Sequence, residues 1–263
     1  MKTASIASGS KGNCIYVESN LARILIDDGL SLTNLEDRLS SIDIDPCSID
    51  AILLTHEHSD HIGGVKYFLK KHRNTKIYIP SYVKNYDIPA VNALPEGQIV
   101  WYSSSDFFLK DIAVSSFILP HDSKFCVGYS LYMSGTKVSY ATDLGVISKD
   151  TLEALKGSDI LYIESNHDEN ILKQNPKYPA VTKKRILGPR GHTSNMSCAA
   201  ALSALVPSGV KQVILCHLSE ENNTPELAYN TVKSFLHSKG IEEGKNVCVD
   251  VAFQHKVGRI FSW

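Results

Sequence analysis

The chain has 263 residues, of which 43% are hydrophobic and 21% charged, and its formal net charge is −1. This length and composition predict one large α/β domain or two tightly joined halves. The net charge excludes a chain that binds nucleic acid through overall charge, so such binding needs a local basic patch. The absence of a long apolar run, of a signal-peptide core and of any C-x-x-C pair among six cysteines predicts a cytoplasmic protein with buried thiols.

The predicted elements begin with three strands over residues 3–6, 14–18 and 23–27. The glycine-rich turn 8–13 between the first two strands allows either an anion-binding nest or an ordinary hairpin turn. Ser10 and Asn13 in this turn are therefore candidate substrate contacts.

A capping box formed by Thr33 and Glu36 predicts the start of a helix that ends before Pro46. The next strand, 49–55, is short and apolar, as expected of a buried strand. After it, the pattern predicts a helix over 65–71, a strand over 77–79 and a proline-containing, loop-rich stretch over 80–100.

The second half of the chain repeats this alternation of strands and helices. Strands are predicted over 98–101, 107–109, 112–119, 126–132, 137–142, 160–164, 212–217, 247–253 and 259–261, and helices over 152–155, 195–205 and 225–239. One strand in each half ends on a histidine, His56 in the first and His217 in the second. This short match favours two similar β-rich halves.

Potential metal-binding side chains are most concentrated in residues 52–64, Ile-Leu-Leu-Thr-His-Glu-His-Ser-Asp-His-Ile-Gly-Gly. Four side chains at this strand end, His56, His58, Asp60 and His61, carry imidazoles and a carboxylate. These groups are ligands for zinc, iron or manganese, and three nearby protein ligands leave a position open for water. The alternative is a solvated turn that happens to be rich in histidine.

Three later apolar stretches also end on a potential ligand, namely His121, Asp143 and His217. Taken singly, each residue is more often a surface or capping residue. Their order after the pattern His-x-His-x-Asp-His resembles the metallo-β-lactamase superfamily. The resemblance implies an αββα four-layer sandwich, formed by a single domain over 1–263.

The resemblance also implies two divalent metal ions per chain, Zn²⁺ or Mn²⁺, with iron possible. The ligands of the first are then His56, His58 and His121, those of the second are Asp60, His61 and His217, and Asp143 bridges the two. Two such ions would hold a bridging hydroxide and steady the charge on a phosphoryl oxygen. Asp60 can also hold the attacking water, which makes it a catalytic candidate.

The segment Gly191-His192-Thr193-Ser194-Asn195 resembles a motif of the tRNase Z branch, which matures tRNA. That resemblance makes His192 a proton donor or phosphate ligand, oriented by Glu164. An imidazole held by a carboxylate keeps its proton more easily, which suits an acid aimed at a leaving alkoxide. The alternative is that Ser194 or Asn195 simply caps the following helix, which leaves His192 unexplained.

Four segments together, 7–13, 163–168, 191–195 and 217–225, resemble the YycJ (WalJ) group of bacterial proteins, although Thr193 stands where leucine is frequent. This resemblance implies a metal-dependent 5′-exonuclease acting on DNA in DNA repair. Two other enzymes fit the same metal site: an RNA-processing nuclease, and a small-molecule hydrolase of a lactone, thioester or cyclic phosphodiester. A non-catalytic binding module is disfavoured by the full ligand set.

Basic residues precede His192 in the sequence. Lys184, Arg185 and Arg190 are candidate contacts to a nucleic acid backbone, together with Ser194 and Asn195. A solvated basic loop is the alternative. The expected partner is therefore nucleic acid, with DNA favoured over RNA, and no membrane.

Overall fold

The computed structural model describes residues 1–263, which form fourteen β-strands in two seven-stranded sheets. The strands of the first sheet are β1 (Lys2–Ala7), β2 (Cys14–Glu18), β3 (Arg23–Ile26), β4 (Ala51–Leu53), β5 (Lys76–Pro80), β6 (Ile99–Tyr102) and β14 (Phe261–Ser262). Their order is β14-β1-β2-β3-β4-β5-β6. The four strands from β3 to β6 run parallel, so their carboxyl ends lie along one edge of the sheet.

The strands of the second sheet are β7 (Asp106–Leu109), β8 (Ile112–Ile118), β9 (Val127–Met133), β10 (Thr136–Ala141), β11 (Ile160–Glu164), β12 (Gln212–Cys216) and β13 (Cys248–Val251). Their order is β13-β12-β11-β10-β9-β8-β7. Strands β9 and β10, which match the strands predicted over 126–132 and 137–142, pair as a hairpin. Both turn residues, Ser134 and Gly135, have positive φ, as a two-residue hairpin of right-handed twist requires.

The chain also forms nine α-helices, none of them long and apolar enough to cross a membrane. They are α1 (Leu32–Ser40), α2 (Ser59–Ile62), α3 (Val65–Lys71), α4 (Pro89–Asn92), α5 (Lys149–Leu155), α6 (Glu169–Gln174), α7 (Ala180–Ile186), α8 (Asn195–Leu205) and α9 (Pro225–Ser238). The chain divides into two compact units: 1–115, 123–125 and 253–263 form the first, and 116–122 and 126–252 form the second.

In the first unit, α1 and α3 cover one face of the sheet. Leu35 and Leu39 of α1, one turn apart, and Phe68 of α3 are fully buried in one cluster with strand residues such as Leu25 and Ile52. The hydrophobic spacing of both helices therefore fixes them on the sheet, and the sheet in turn positions the segment that follows β4.

In the second unit, α8 and α9 pack together over the parallel strands. Leu202 of α8 and Val232 of α9 are fully buried in a cluster with Leu161 and Val213 of β11 and β12. Strands β10, β11 and β12 are parallel, which brings their carboxyl ends to a common edge.

The sequence placed one helix cap wrongly and did not predict two helices. The cap of α1 is Ser31, whose hydroxyl accepts a hydrogen bond from the Asn34 N–H, and not Thr33. The alternative of a solvated basic loop near residue 184 does not hold either, because Lys184 and Arg185 lie in α7, which was not predicted, and α6 precedes it.

Candidate metal-binding residues

Three histidines come together at the carboxyl end of β4 in the first unit. His56 and His61 are fully buried, and their ring centroids lie 4.1 Å apart. The ring of His58 stands edge-on to that of His56 at 4.7 Å. The turn is held by α2, because the backbone N–H groups of His61 and Ile62 donate to the carbonyl of His58. The sequence spacing therefore gathers three potential nitrogen ligands.

Asp27, which follows β3, orients one of these imidazoles. Its Oδ2 lies 2.7 Å from Nδ1 of His61, and its two carboxylate oxygens accept hydrogen bonds from the backbone N–H and the hydroxyl of Thr55. Burial raises the pKa of Asp27, and the interactions with His61 and Thr55 offset only part of that effect. A carboxylate on Nδ1 directs Nε2 toward a metal, as is usual for metal-binding histidines. Sequence reasoning missed this role of Asp27.

Asn13 was expected to contact substrate, and the structure places its side chain against the histidine turn. It is fully buried, and its Nδ2 donates to Oδ2 of Asp60 at 3.2 Å and lies 3.0 Å from Nε2 of His61. Its Oδ1 accepts a hydrogen bond from the Gly9 N–H. These contacts make Asn13 the link between the glycine-rich loop and the candidate ligands.

Gly29 lies against the histidine turn and against Asn13 of the glycine-rich loop, and this close approach requires a residue without a side chain. A Cβ on Gly29 would lie 1.8 Å from the carbonyl oxygen of Asp60 and 3.0 Å from the backbone nitrogen of Asn13. Since backbone atoms cannot swing away, we expect Gly29→Ala to lower the free energy of unfolding by at least the ~1–3 kcal/mol typical of overpacking. Urea denaturation measures this loss.

A matched control is Gly97→Ala, because a Cβ at Gly97 meets nothing within 4 Å. Its free energy of unfolding should stay unchanged or rise slightly, since alanine restricts the unfolded chain. Equal stability of the Gly29 and Gly97 variants would contradict the close contact between Gly29 and Asp60.

Three parallel strands of the second unit end on polar residues. β11 ends at Glu164, Asp143 follows β10, and His217 follows β12. Asp143 and His217 adopt left-handed φ values of 62° and 53°, which side chains rarely tolerate without a compensating reason. Such strain concentrates at functional sites, and here it falls on two of the predicted ligands.

Asp143 lies between two imidazoles. Its Oδ2 is 2.9 Å from Nδ1 of His217, and its Oδ1 is 3.7 Å from Nε2 of His121. Nδ1 of His121 donates to the carbonyl of Gly191 at 3.2 Å, which fixes the tautomer and leaves Nε2 facing the carboxylate. Burial lowers the pKa of His121, and this favours the neutral imidazole that binds metals.

Glu164 and His192 form an ion pair beside this carboxylate. Nδ1 of His192 is 2.8 Å from Oε1 of Glu164, and Oε2 accepts hydrogen bonds from the backbone N–H groups of Thr193 and Leu144. Burial disfavours the charge on His192, but the attraction of Glu164 outweighs it and raises the pKa of His192. The same pairing outweighs burial at Glu164 and lowers the pKa of that carboxyl. The pair therefore favours a protonated imidazole.

Four residues of the second unit also form a possible ligand group by themselves. Asp143, Glu164, His192 and His217 each offer a ligand atom, and these atoms lie within 4.8 Å of one another. Nδ1 of His217 is 3.3 Å from Oε1 of Glu164. A role of His192 as a metal ligand is therefore the geometric alternative to a role as proton donor.

A network of buried amides holds the loops that carry these residues. The hydroxyl of Ser165 donates to Oδ1 of Asn195 at 2.7 Å, and Nδ2 of Asn195 donates to Oδ1 of Asn223. Nδ2 of Asn166 donates to the carbonyl of His217 at 2.7 Å. Asn195 is 1% exposed, so its contacts favour a positioning role over the predicted contact with substrate.

The two serines predicted to contact substrate lie in different settings. Ser194 caps α8, since its hydroxyl oxygen accepts a hydrogen bond from the Ser197 N–H, and it also donates to Glu169. Ser10 is exposed at the tip of loop 8–13 in the first unit. Capping of α8 is therefore sufficient to explain a serine at position 194, whereas the exposure of Ser10 agrees with the predicted contact to substrate.

The predicted basic contacts are divided between surface and structural positions. Arg185 of α7 pairs with Asp122 at 2.7 Å, and Nε of Arg190 donates to the carbonyl of His121 at 2.7 Å. Lys184, Arg185 and Arg190 are all exposed. Arg190 therefore supports the backbone of a candidate ligand while its side chain remains at the surface.

Comparison with known proteins agrees with the motifs. A family model described as the β-lactamase superfamily domain matches residues 22–218. The exodeoxyribonuclease YycJ of Bacillus anthracis is 33% identical over 241 residues, which covers 91% of this chain and 90% of that protein. The recognition of the superfamily and of the YycJ-like group is thus confirmed.

Two solved structures confirm the predicted αββα sandwich. The metallo-β-lactamase fold protein YhfI of Bacillus subtilis has a TM-score of 0.71 at 14% identity, covering 98% of this chain and 99% of that one. The short form of human tRNase Z has a TM-score of 0.62 at 16% identity, with the same coverage. The protein is a metal-dependent hydrolase, and the chain belongs to the β-lactamase superfamily.

Proposed function

We propose that this protein is a dinuclear metal-dependent phosphodiesterase that degrades DNA from the 5′ end in DNA repair. The observation that carries the proposal is the His192–Glu164 ion pair next to Asp143 in the second unit. A protonated imidazole helps a poor leaving group such as a sugar alkoxide, and it is not needed for an activated one. The similarity to the YycJ exodeoxyribonuclease over 91% of the chain supports DNA as the substrate.

In this proposal each chain would hold two divalent ions. Their ligands would be His56, His58 and His121 for the first ion, Asp60, His61 and His217 for the second, and Asp143 for both. Nδ1 of His61 is held by Asp27 and Nδ1 of His121 by the Gly191 carbonyl, so each Nε2 is set up as a ligand nitrogen. This set of nitrogen and oxygen donors fits zinc or manganese, and also iron.

The bound ions would lower the pKa of water and neutralise charge on the phosphoryl group. The chain's own residues then have distinct tasks. Asp60 orients the attacking water. His192 donates a proton to the leaving 3′ oxygen, and Glu164 keeps that imidazole protonated and aligned.

The proposal predicts two metal ions per chain. Protein purified without chelator, or reconstituted with Zn²⁺ or Mn²⁺, should contain close to two equivalents by elemental analysis. Asp143→Ala should lower that number, because a bridging carboxylate serves both ions. A stoichiometry near zero after reconstitution of folded protein would rule out the metal site.

One assay separates the candidate substrates. End-labelled duplex DNA, structured RNA and bis-nitrophenyl phosphate are compared in Mn²⁺ and in Zn²⁺. Progressive release of nucleotides from the 5′ end of DNA supports the proposal. Preference for RNA would indicate an RNA-processing nuclease, and hydrolysis confined to small esters would indicate a small-molecule hydrolase.

A further inference from the structure

The loop 8–13, here called the glycine loop, is clamped by residues 253–258, here called the C-terminal turn. Both belong to the first unit. The side-chain amide of Gln254 bridges the loop: its Oε1 accepts a hydrogen bond from the Lys11 N–H at 2.8 Å, and its Nε2 donates to the Gly12 carbonyl at 3.0 Å. One amide thus satisfies both a donor and an acceptor of the loop backbone.

The C-terminal turn is itself anchored. NH1 of Arg38 in α1 donates to the carbonyl of Gln254 and to that of Ile6, each at 3.0 Å. The N–H of Gly258 donates to the carbonyl of Ser5 at 2.8 Å. The clamp is therefore fixed to β1 and to α1, and it has a defined position relative to the glycine loop.

The last residue of the glycine loop, Asn13, is bound to the histidine turn. The N–H of Asn13 donates to the carbonyl of Asp60 at 2.8 Å, in addition to the side-chain contacts of Asn13 with Asp60 and His61. The N–H of Ser8 donates to the carbonyl of Phe253 at 3.0 Å, so the loop is held at its start as well as at Lys11, Gly12 and Asn13. The exposed residues Ser10 and Lys11 therefore have a defined position in the same loop as Asn13, which contacts the candidate ligands.

The C-terminal turn carries a second exposed cation, two residues after the Gln254 that binds the glycine loop. Lys11 and Lys256 are both exposed, and the ammonium of Lys256 lies 4.0 Å from the ring centroid of Phe253. Lys256 has no carboxylate partner, so its charge is available to an anion. Because the chain as a whole carries a net charge of −1, attraction to a polyanion depends on such local cations.

We propose that Ser10, Lys11 and Lys256 bind the phosphate backbone of the DNA strand, next to the phosphodiester that is hydrolysed. Ammonium and hydroxyl groups contact phosphates without reading the base sequence, as an exonuclease that moves along a strand requires. Gln254 is a positioning residue in this arrangement, because it fixes the loop before substrate arrives and so reduces the ordering cost of binding. The inference rests on the proposed function.

The test is the double variant Lys11→Gln/Lys256→Gln, which removes two charges and keeps the side-chain stems. Its kcat and KM on end-labelled duplex DNA are measured over a series of salt concentrations. We expect KM for DNA to rise with little change in kcat, and the slope of log(kcat/KM) against log salt to fall by about two, one per phosphate contact. Turnover of bis-nitrophenyl phosphate should stay at the wild-type level.

The matched control is Lys239→Gln/Lys245→Gln in the second unit. Lys239 also lies over an aromatic ring, that of Phe235, and Lys245 pairs with Glu242 on the surface. This control should retain the wild-type salt slope. An unchanged slope in the Lys11/Lys256 variant would overturn the inference alone, whereas a wild-type enzyme that cleaves only small esters would overturn the proposed function as well.

Discussion

Replacing His192 with alanine is expected to lower DNA cleavage by roughly 10²–10⁴-fold, the usual contribution of general-acid catalysis, and to spare bis-nitrophenyl phosphate. The 3′ oxygen of a DNA strand leaves poorly without a proton, whereas a nitrophenolate needs none. Glu164 lies 2.8 Å from Nδ1 of His192 and raises the pKa of the imidazole, which favours the protonated form that the proposed proton donor requires. The measurement is the ratio of the two activities at equal metal content.

The control for this variant is His237→Ala, which removes an exposed histidine from α9 and should leave both activities unchanged. Equal loss of both activities in His192→Ala would show that His192 is a metal or phosphate ligand, as its grouping with Asp143 and His217 allows. No loss of either activity would leave it only a structural role before α8, and would favour the small-molecule hydrolase.

Glu164→Gln should also lower DNA cleavage more than bis-nitrophenyl phosphate cleavage, but by a smaller factor than His192→Ala. The imidazole remains in this variant, but it holds its proton less firmly. The structure complicates this variant. Oε1 of Glu164 also lies 3.3 Å from Nδ1 of His217, and Oε2 accepts the N–H groups of Thr193 and Leu144. A glutamine amide has one oxygen acceptor where the carboxylate has two, so it cannot keep all of these hydrogen bonds. His192→Ala therefore tests proton donation with fewer side effects.

The elements with the strongest sequence patterns were predicted almost to the residue. The prediction of helices over 65–71 and 195–205 and of a strand over 160–164 is confirmed by α3, α8 and β11. The apolar side chains of these segments are buried in the two cores, so burial and sequence pattern agree. Local preference and tertiary packing point to the same structure in such segments.

Helices α6 and α7 were missed because little in them repeats with a helical period. Leu172 is the buried residue of α6, and Ile186 is that of α7, so neither helix presents an apolar stripe. The basic residues of α7 left a contact to a nucleic acid backbone and a solvated loop equally open. Their helical form depends on tertiary context, which a single sequence does not contain.

The candidate ligands were identifiable because each follows an apolar strand. The residues that support them were harder to find. Asp27 contacts His61 across 34 positions, and Asn13 contacts it across 48. The signal for Asp27 was its place just after β3, the parallel neighbour of β4, which puts it beside the histidine turn. The division of the ligands between two metal ions stays a prediction that metal analysis decides.

The largest loss of activity is expected for Asp60→Ala, which should abolish hydrolysis of DNA and of bis-nitrophenyl phosphate alike. In the proposed mechanism the carboxylate binds a metal ion and orients the attacking water, so its loss falls on kcat with every substrate. The fold should survive, because Asp60 contributes its backbone carbonyl, and not only its side chain, to the contact with Asn13.

The side chain of Asp60 is 21% exposed and accepts a hydrogen bond from Asn13, so the free energy of unfolding should fall by about 1 kcal/mol, the usual net contribution of one hydrogen bond. Urea denaturation, metal content and kcat on both substrates are measured for Asp60→Ala and for the control Asp37→Ala, which removes an exposed carboxylate from α1 in the same unit. The control should be fully active. Near-normal turnover of either substrate by Asp60→Ala would refute its catalytic role, whereas a selective loss with DNA would make Asp60 a substrate contact instead.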